Sequence, residues 1–282
     1  FCLSPIADNL TTALVMGTVV VAVGKSTPKF VALACINIVC AANAGGAFSP
    51  FGDITTLMVW QKGMVEFTEF FSLLVPSIVN WLVPAAIMSV FLPKGHPEGV
   101  AEEVRIKQGG IVVIFLFLGT IALAVVFHSA LHLPSMVGMM TGLGILKLYG
   151  YYLKRATGSE PDVFVNQTSG HDVDSEGRFD IFDQLQRAEW DTLMFFYGVV
   201  LCVGGLSAFG YLNLASVFMY EEMGASWANI LVGLLSAIVD NIPVMFAVLT
   251  MLPDMSVNQW LLVTLTAGVG GSLLSVGSAA GV

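Results

Sequence analysis

The chain has 282 residues, of which 56% are hydrophobic and only 11% charged, with a mean hydropathy of +0.83. Soluble domains carry roughly 25% charged residues, so the composition excludes a soluble globular protein and indicates a polytopic membrane protein. The net charge of -9 comes without the basic stripe that nucleic acid demands, so no nucleic-acid partner is expected.

Apolar runs of about 20 residues, the length that a hydrocarbon core of roughly 30 Å requires of a spanning helix, recur along the chain. They are predicted at 1–24, 28–60 (interrupted near 43–53), 67–92, 109–132, 134–153, 190–212, 226–252 and 258–282. The sequence opens on Phe1 inside one run and stops at Val282 inside another, which reads as a fragment. Cys2, Cys35, Cys40 and Cys202 lie in apolar runs without C-x-x-C spacing or a neighbouring His. They are expected to be small buried hydrophobes.

Loop charge orients the segments, because Lys and Arg accumulate on the cytoplasmic side. Nine of the eleven basic residues fall in loops 25–29, 93–108 and 154–189, which are therefore placed inside. Loops 61–66, 133–134 and 213–225 are placed outside. Loop 253–257 belongs inside if 226–252 crosses once, yet it carries no basic residue. A re-entrant hairpin entered and left from outside resolves the conflict, with its tip at Asp240-Asn241-x-Pro243.

Two internal echoes occur in the same order. "LSPIADNLTTALVM" (Leu3 to Met16) matches "LSAIVDNIPVMFAV" (Leu235 to Val248), and "NAGGAFSPFGD" (Asn43 to Asp53) matches "GVGGSLLSVGS" (Gly268 to Ser278). By the loop charges the first Asp-Asn segment returns to the inside and the second to the outside. The repeats therefore have inverted topology, and broken helices that meet near the bilayer midplane mark the substrate site of secondary transporters.

An ionised Asp in hydrocarbon costs about 2.5–3.5 kcal/mol even on lenient scales, so Asp8, Asp53 and Asp240 point to a site. Gly45, Gly46, Pro50 and Gly52 in one repeat, and Gly270, Gly271 and Gly277 in the other, let the backbone leave helical geometry. Around these breaks gather Asp8, Asn9, Asn43, Asp53, Thr55, Thr56, Asp240, Asn241, Ser272, Ser275 and Ser278, supported by Ser4, Thr12 and Ser236. All are oxygen donors, and no Lys, Arg or Cys is among them. That set suits a small hard cation, with sodium expected at Asp8, Asp53 and Asp240. Desolvation and like-charge neighbours favour the neutral form of a carboxylic acid, so such a site holds either a proton or a sodium ion. Competition between the two is a sufficient mechanism for exchange. No Ser/His or metal-binding dyad falls at matching depth, so an enzyme is not expected and no cofactor is called for.

"SPIADNLTTALVM", "NAGGAFSPFGDITTLMVW", "AEWDTLMFFYGV", "SAIVDNIPVMFAVLTM" and "GVGGSLLSVGSAAGV" resemble the NhaD-type sodium/proton antiporters of the ion transporter superfamily. The resemblance covers nearly the whole sequence, and the Gly-Gly-x5-Gly frame is shared with dicarboxylate and arsenite transporters. It implies an all-α polytopic membrane protein of the bacterial inner membrane, with inverted repeats, re-entrant hairpins and broken transmembrane helices. It also implies a homodimer exchanging sodium or lithium for protons by alternating access, in pH homeostasis. The organisation that follows has a first-repeat transport region over 1–92, a cytoplasmic loop over 93–108 and scaffold-type helices over 109–153. A cytoplasmic polar loop over 154–189, a scaffold helix with an interfacial arm over 190–225 and a second-repeat transport region over 226–282 complete it. Dicarboxylate relatives carry Ser-Asn-Thr at the hairpin tips, where this sequence has Asp-Asn. That departure favours a cation, and a sodium- or proton-coupled organic-anion or oxyanion transporter stays as the alternative. The resemblance further implies scaffold helices and a last helix beyond this sequence, without which it is not expected to transport.

Two weaker signals complete the reading. His128 and His132 are spaced by one helical turn and offer a pH-sensing pair. "DVDSEGRFDIFD" (Asp172 to Asp183) imitates a calcium loop but ends in Asp rather than Glu, and it is not expected to bind calcium.

Overall fold

In the computed structural model, residues 1–24, 27–92, 109–157, 190–274 and 281 are described. Those residues form twelve α-helices and no strand: α1 (Ser4–Ala7), α2 (Asn9–Val23), α3 (Pro28–Gly46), α4 (Ile54–Gln61), α5 (Leu74–Val90), α6 (Gly110–Ser129), α7 (Ser135–Thr157), α8 (Trp190–Ala208), α9 (Tyr211–Ser216), α10 (Ala225–Ser236), α11 (Asn241–Met251) and α12 (Val257–Gly270). A 3-10 turn (Glu69–Leu73) leads into α5, and a π-helical turn (Val217–Glu222) follows α9. The chain divides into one compact unit of residues 1–103 with 196–282, and another of 104–195.

Length separates spanning helices from half-helices. Pro28–Gly46, Glu69–Val90 and Gly110–Ser129 are long and apolar enough to cross a membrane, and Leu193–Ala208 with Tyr211–Glu222 forms a pair bent by 81°. At 1.5 Å per residue, α10 and α11 are only about 18 and 16 Å long, roughly half of a hydrocarbon core. Both are apolar, and they are joined by the short turn 237–240. That is the shape of a re-entrant hairpin. Pro243 sits in the first turn of α11 rather than at the break itself, where a missing N–H costs no helical hydrogen bond.

The two sequence echoes share a pair of contacts. Ser4 Oγ donates to the carbonyl of Ala42 and Ser236 Oγ donates to the carbonyl of Ala267, each at 2.6 Å. Both serines stand four residues before an aspartate, and both acceptors stand one residue before the matched Asn43 and Gly268. The close approaches are paired as well. A Cβ on Gly45 would meet the carbonyl oxygen of Phe1, and one on Gly270 would meet that of Gly233. In the sequence match, Phe1 and Gly233 occupy the same place. Each repeat thus crosses its hairpin over its broken helix at a glycine and pins the crossing with a serine.

The first unit is built around these crossings. α2 packs on α3, α3 on α5 and α10 on α12, while α4 lies against α11 and α12. Ala41 to Gly46 are all buried, which a helix achieves only where its residues are small enough for neighbours on every side. Aromatic rings support the flanks. Phe1 lies 5.0 Å from Trp81 and 5.4 Å from Phe48, and Phe51 meets Trp60 edge-on at 5.5 Å. Asn229 is fully buried and bonds Gln259 Oε1 at 2.9 Å, which fixes α10 against the start of α12.

In the second unit α6 and α7 form an antiparallel pair. A Cβ on Gly138 would meet the backbone of Ala124, and one on Gly142 the side chain of Thr120. The four-residue steps run in opposite directions, as antiparallel packing requires. α6 ends at Ser129 and His132 has φ 52°, so His128 and His132 are not stacked on one helical turn as their spacing suggested. The four cysteines are free, and none is buried as expected: Cys2 and Cys202 are exposed and Cys35 and Cys40 half-buried, because in a membrane protein an apolar side chain can face lipid instead of a core.

The glycine crossing yields a stability test. Gly270→Ala drives a methyl into backbone that cannot rotate away, and should destabilise the protein by about 1–3 kcal/mol. Gly204→Ala, where nothing lies within 4 Å, should stay near the unsubstituted value. Thermal unfolding of detergent-purified protein, followed by fluorescence-detected size exclusion, measures the difference.

Candidate functional site

The site starts from backbone geometry at the two aspartates. Asp8 has φ 66° and ψ 152°, a region that only glycine enters freely and that costs another residue about 1–3 kcal/mol. The strain is held in place because the N–H of Asn9 donates to the carbonyl of Gly52 at 3.1 Å. The end of the unwound segment 47–53 is thereby tied to the start of α2. Asp240 precedes α11 with φ -47° and ψ 141°, an ordinary extended conformation. Repeat-related acids therefore have different backbones.

Four side chains with amide or hydroxyl groups link these breaks. Asn9 Nδ2 donates to Asn43 Oδ1 at 3.0 Å, and Asn43 Nδ2 donates to Ser272 Oγ at 2.8 Å, across 229 residues of sequence. Asn9 Oδ1 accepts the N–H of Leu10 at 2.8 Å. In the other half, Asn241 Nδ2 donates to Asp53 Oδ2 at 3.1 Å. The hairpin tips of both repeats thus meet the same discontinuous segment between α3 and α4.

Asp53 is 6% exposed and stands at the N-terminus of α4, where unpaired backbone N–H groups favour a negative charge. Its Oδ2 also accepts from Thr55 Oγ1 at 3.0 Å, and its carbonyl from Thr56 Oγ1 at 2.7 Å. A Cβ on Gly268 would lie 3.4 Å from Asp53 Oδ2 and 3.6 Å from Thr55 Oγ1. Where the first repeat has Asn43, the second has a glycine facing the carboxylate of Asp53. Asp8 and Asp53 each adjoin one end of the bond from the Asn9 N–H to the Gly52 carbonyl.

Two buried oxygens at the tips have no hydrogen-bond partner, Thr12 Oγ1 and Asp240 Oδ1. Thr12 stands one turn after Asp8 on the same face of α2, the face an oxygen ligand would need. Among the described residues no group of three His, Cys, Asp or Glu side chains is close enough to share one metal ion. A hard cation here would draw on amide, hydroxyl and carbonyl oxygens around a single carboxylate.

The structure brings together Asp8, Asn9, Asn43, Asp53, Thr55, Thr56, Asn241 and Ser272, with Asp240 preceding Asn241. Ser4 and Ser236 act on helix carbonyls, and Ser275, Ser278 and the 172–183 loop lie outside the described residues. Sequence reasoning missed the carbonyl of Gly52 and the position of Gly268. Main-chain oxygens leave no trace in residue type, and the only available signal was that Gly268 replaces Asn43 in the repeat.

Comparison with known proteins adds the following. A family model described as "Citrate transporter" matches residues 1–268. The Na(+)/H(+) antiporter NhaD of Vibrio parahaemolyticus is 58% identical over 289 residues, covering 100% of this chain and 70% of the relative. The protein of the same name from Vibrio cholerae is 57% identical, covering 100% and 61%. Sodium/proton antiporter 1 of Arabidopsis thaliana is 31% identical, covering 100% and 48%. The chain thus spans about half to two thirds of the length of most of these relatives. No solved structure matches it.

The contact between the two breaks can be tested without any transport assay. Asn43→Cys with Ser272→Cys in a cysteine-free background should be bridged by mercuric ion in membranes. After cleavage at a protease site placed between residues 158 and 189, the two pieces should stay joined on a gel. Pairing Asn43→Cys with Trp227→Cys, at an exposed position, should leave them separate.

Proposed function

The chain belongs to the NhaD family of sodium/proton antiporters, and from that membership we propose that it exchanges sodium for protons as part of a secondary active transporter. It is a multi-pass protein of the bacterial inner membrane, and its relatives are transporters rather than enzymes. The observation that carries the proposal is the donor set at the breaks. Asn9, Asn43 and Ser272 form one hydrogen-bonded group and Asn241, Asp53 and Thr55 another, and every one of the six presents oxygen while none is basic. A carboxylate with amide and hydroxyl oxygens at a low-dielectric site binds a hard cation. The same carboxylate holds a proton when the cation leaves.

Asp8, Asp53 and Asp240, with Asn9, Asn43, Thr55, Thr56, Asn241 and the serines 272, 275 and 278, make up the proposed cation and proton site. Ser4, Thr12 and Ser236 support it. The two hairpins and two broken helices form the moving part, and the helices over 109–153 the scaffold. Sodium and protons are substrates, and no cofactor enters the reading. Lithium as an alternative cargo and a homodimeric assembly rest on the family resemblance.

A second reading, sodium- or proton-coupled transport of an organic anion or oxyanion, is favoured by the match to the citrate transporter family model. The absence of a basic residue from the hydrogen-bonded set weighs against it, since an anion would need a cation or a free helix N-terminus.

Full-length protein in proteoliposomes with an imposed pH gradient tests both readings. Sodium-dependent proton flux is expected, and Asp53→Asn or Asp240→Asn should lower it by more than roughly tenfold. Uptake of labelled citrate or succinate without such flux would overturn the antiport reading in favour of the second.

A further inference from the structure

A primary amide has two unlike ends, an oxygen that attracts a cation and an NH2 that repels it. At each hairpin tip the amide must therefore be turned the right way before it can help to hold sodium. In the first repeat the direction is fixed by a donor that cannot reverse. The backbone N–H of Leu10 points at Asn9, and a backbone N–H can only donate. Asn9 must present Oδ1 to it, so its Nδ2 faces Asn43. Asn43 must then accept through Oδ1, which leaves Nδ2 to donate to Ser272 Oγ. The Leu10 N–H thus sets which way the Asn9 amide faces, and Asn43 Oδ1 holds its other end.

The second tip reaches the same result by different means. Gly268, matched to Asn43 in the repeat, has no side chain to accept from Asn241. The carboxylate of Asp53 fills the space and takes the Asn241 Nδ2 donor instead. Both tip amides thus spend their N–H on the broken helix of the first repeat, one on the neutral amide of Asn43 near the end of α3 and one on the carboxylate of Asp53 just before α4.

We propose that Asn43 is a positioning residue that holds the Asn9 amide with its oxygen toward the cation, the counterpart in the first repeat of the Asp53 contact to Asn241. Asn43 has committed its NH2 to Ser272 and one side of its oxygen to Asn9, and it is 1% exposed. It acts on sodium through Asn9. This assignment rests on the sodium reading above and goes beyond it, because it separates a residue that orients a ligand from the ligands themselves.

The test is direct sodium binding by the full-length protein, with sodium-22 in a scintillation proximity assay. Asn43→Leu keeps the volume and removes the acceptor. It should raise half-saturating sodium about tenfold, with a smaller fall in maximal flux in proteoliposomes. Asn43→Asp keeps an oxygen for Asn9 and should recover most of that loss, which a merely space-filling role would not produce. Asn43→Ala makes the same removal with less bulk, and stands in if Asn43→Leu does not fold. Unchanged affinity in Asn43→Leu or Asn43→Ala, or an Asn43→Asp protein no better than either, overturns the assignment while leaving the sodium reading intact. No sodium binding by the unsubstituted protein overturns both.

Discussion

A helix that stops inside a membrane leaves N–H and C=O groups that water cannot reach, each costing several kcal/mol unless the protein supplies a partner. Here those partners come from the other broken elements. The carbonyls of Ala42 and Ala267 near the ends of α3 and α12 take serine hydroxyls from their hairpins, and the carbonyl of Gly52 takes the N–H of Asn9. The breaks are tolerable only together. Each exists because another has been brought within 3.1 Å of it, and the site is the place where these mutual obligations meet.

This interdependence explains why the small residues are where they are. Gly45 and Gly270 let the hairpin backbone come close enough for Ser4 and Ser236 to reach their carbonyls. The run Ala41 to Gly46 is buried on all sides because it presents nothing larger than an asparagine. A medium-sized apolar side chain in that run would open the crossing and strand the serine hydroxyl, so packing and polar satisfaction fail as one.

The repeat is matched in its crossings but not symmetric in chemistry. The serine pins and glycine crossings are reproduced, whereas Asp8 is strained where Asp240 is relaxed, and Asn43 is answered by a glycine. Asp53 lies in the first repeat and serves the second. A shared central segment makes the two tips sensitive to each other, since whatever displaces the segment from Asn241 also moves it against Asn9. A symmetric pair of half-sites would have no such dependence.

Much of this was legible from residue order. Composition and run length set the membrane class, and the paired "LSPIADN" and "LSAIVDN" stretches with the two Gly-Gly frames located the breaks. The restriction of the polar residues there to oxygen donors, on which the proposed cation site rests, was also legible before any coordinates. These are properties of local chemistry, which the bilayer reads one segment at a time. What residue order could not decide was which oxygen faces what. That Asn43 reaches Ser272 across 229 residues, that Asp53 turns to Asn241 in the opposite repeat, and that Asp8 adopts a glycine-like backbone all depend on how the broken helices cross. Such pairings follow from satisfying every buried polar group at once, a condition defined on the assembled fold and on no stretch of sequence alone.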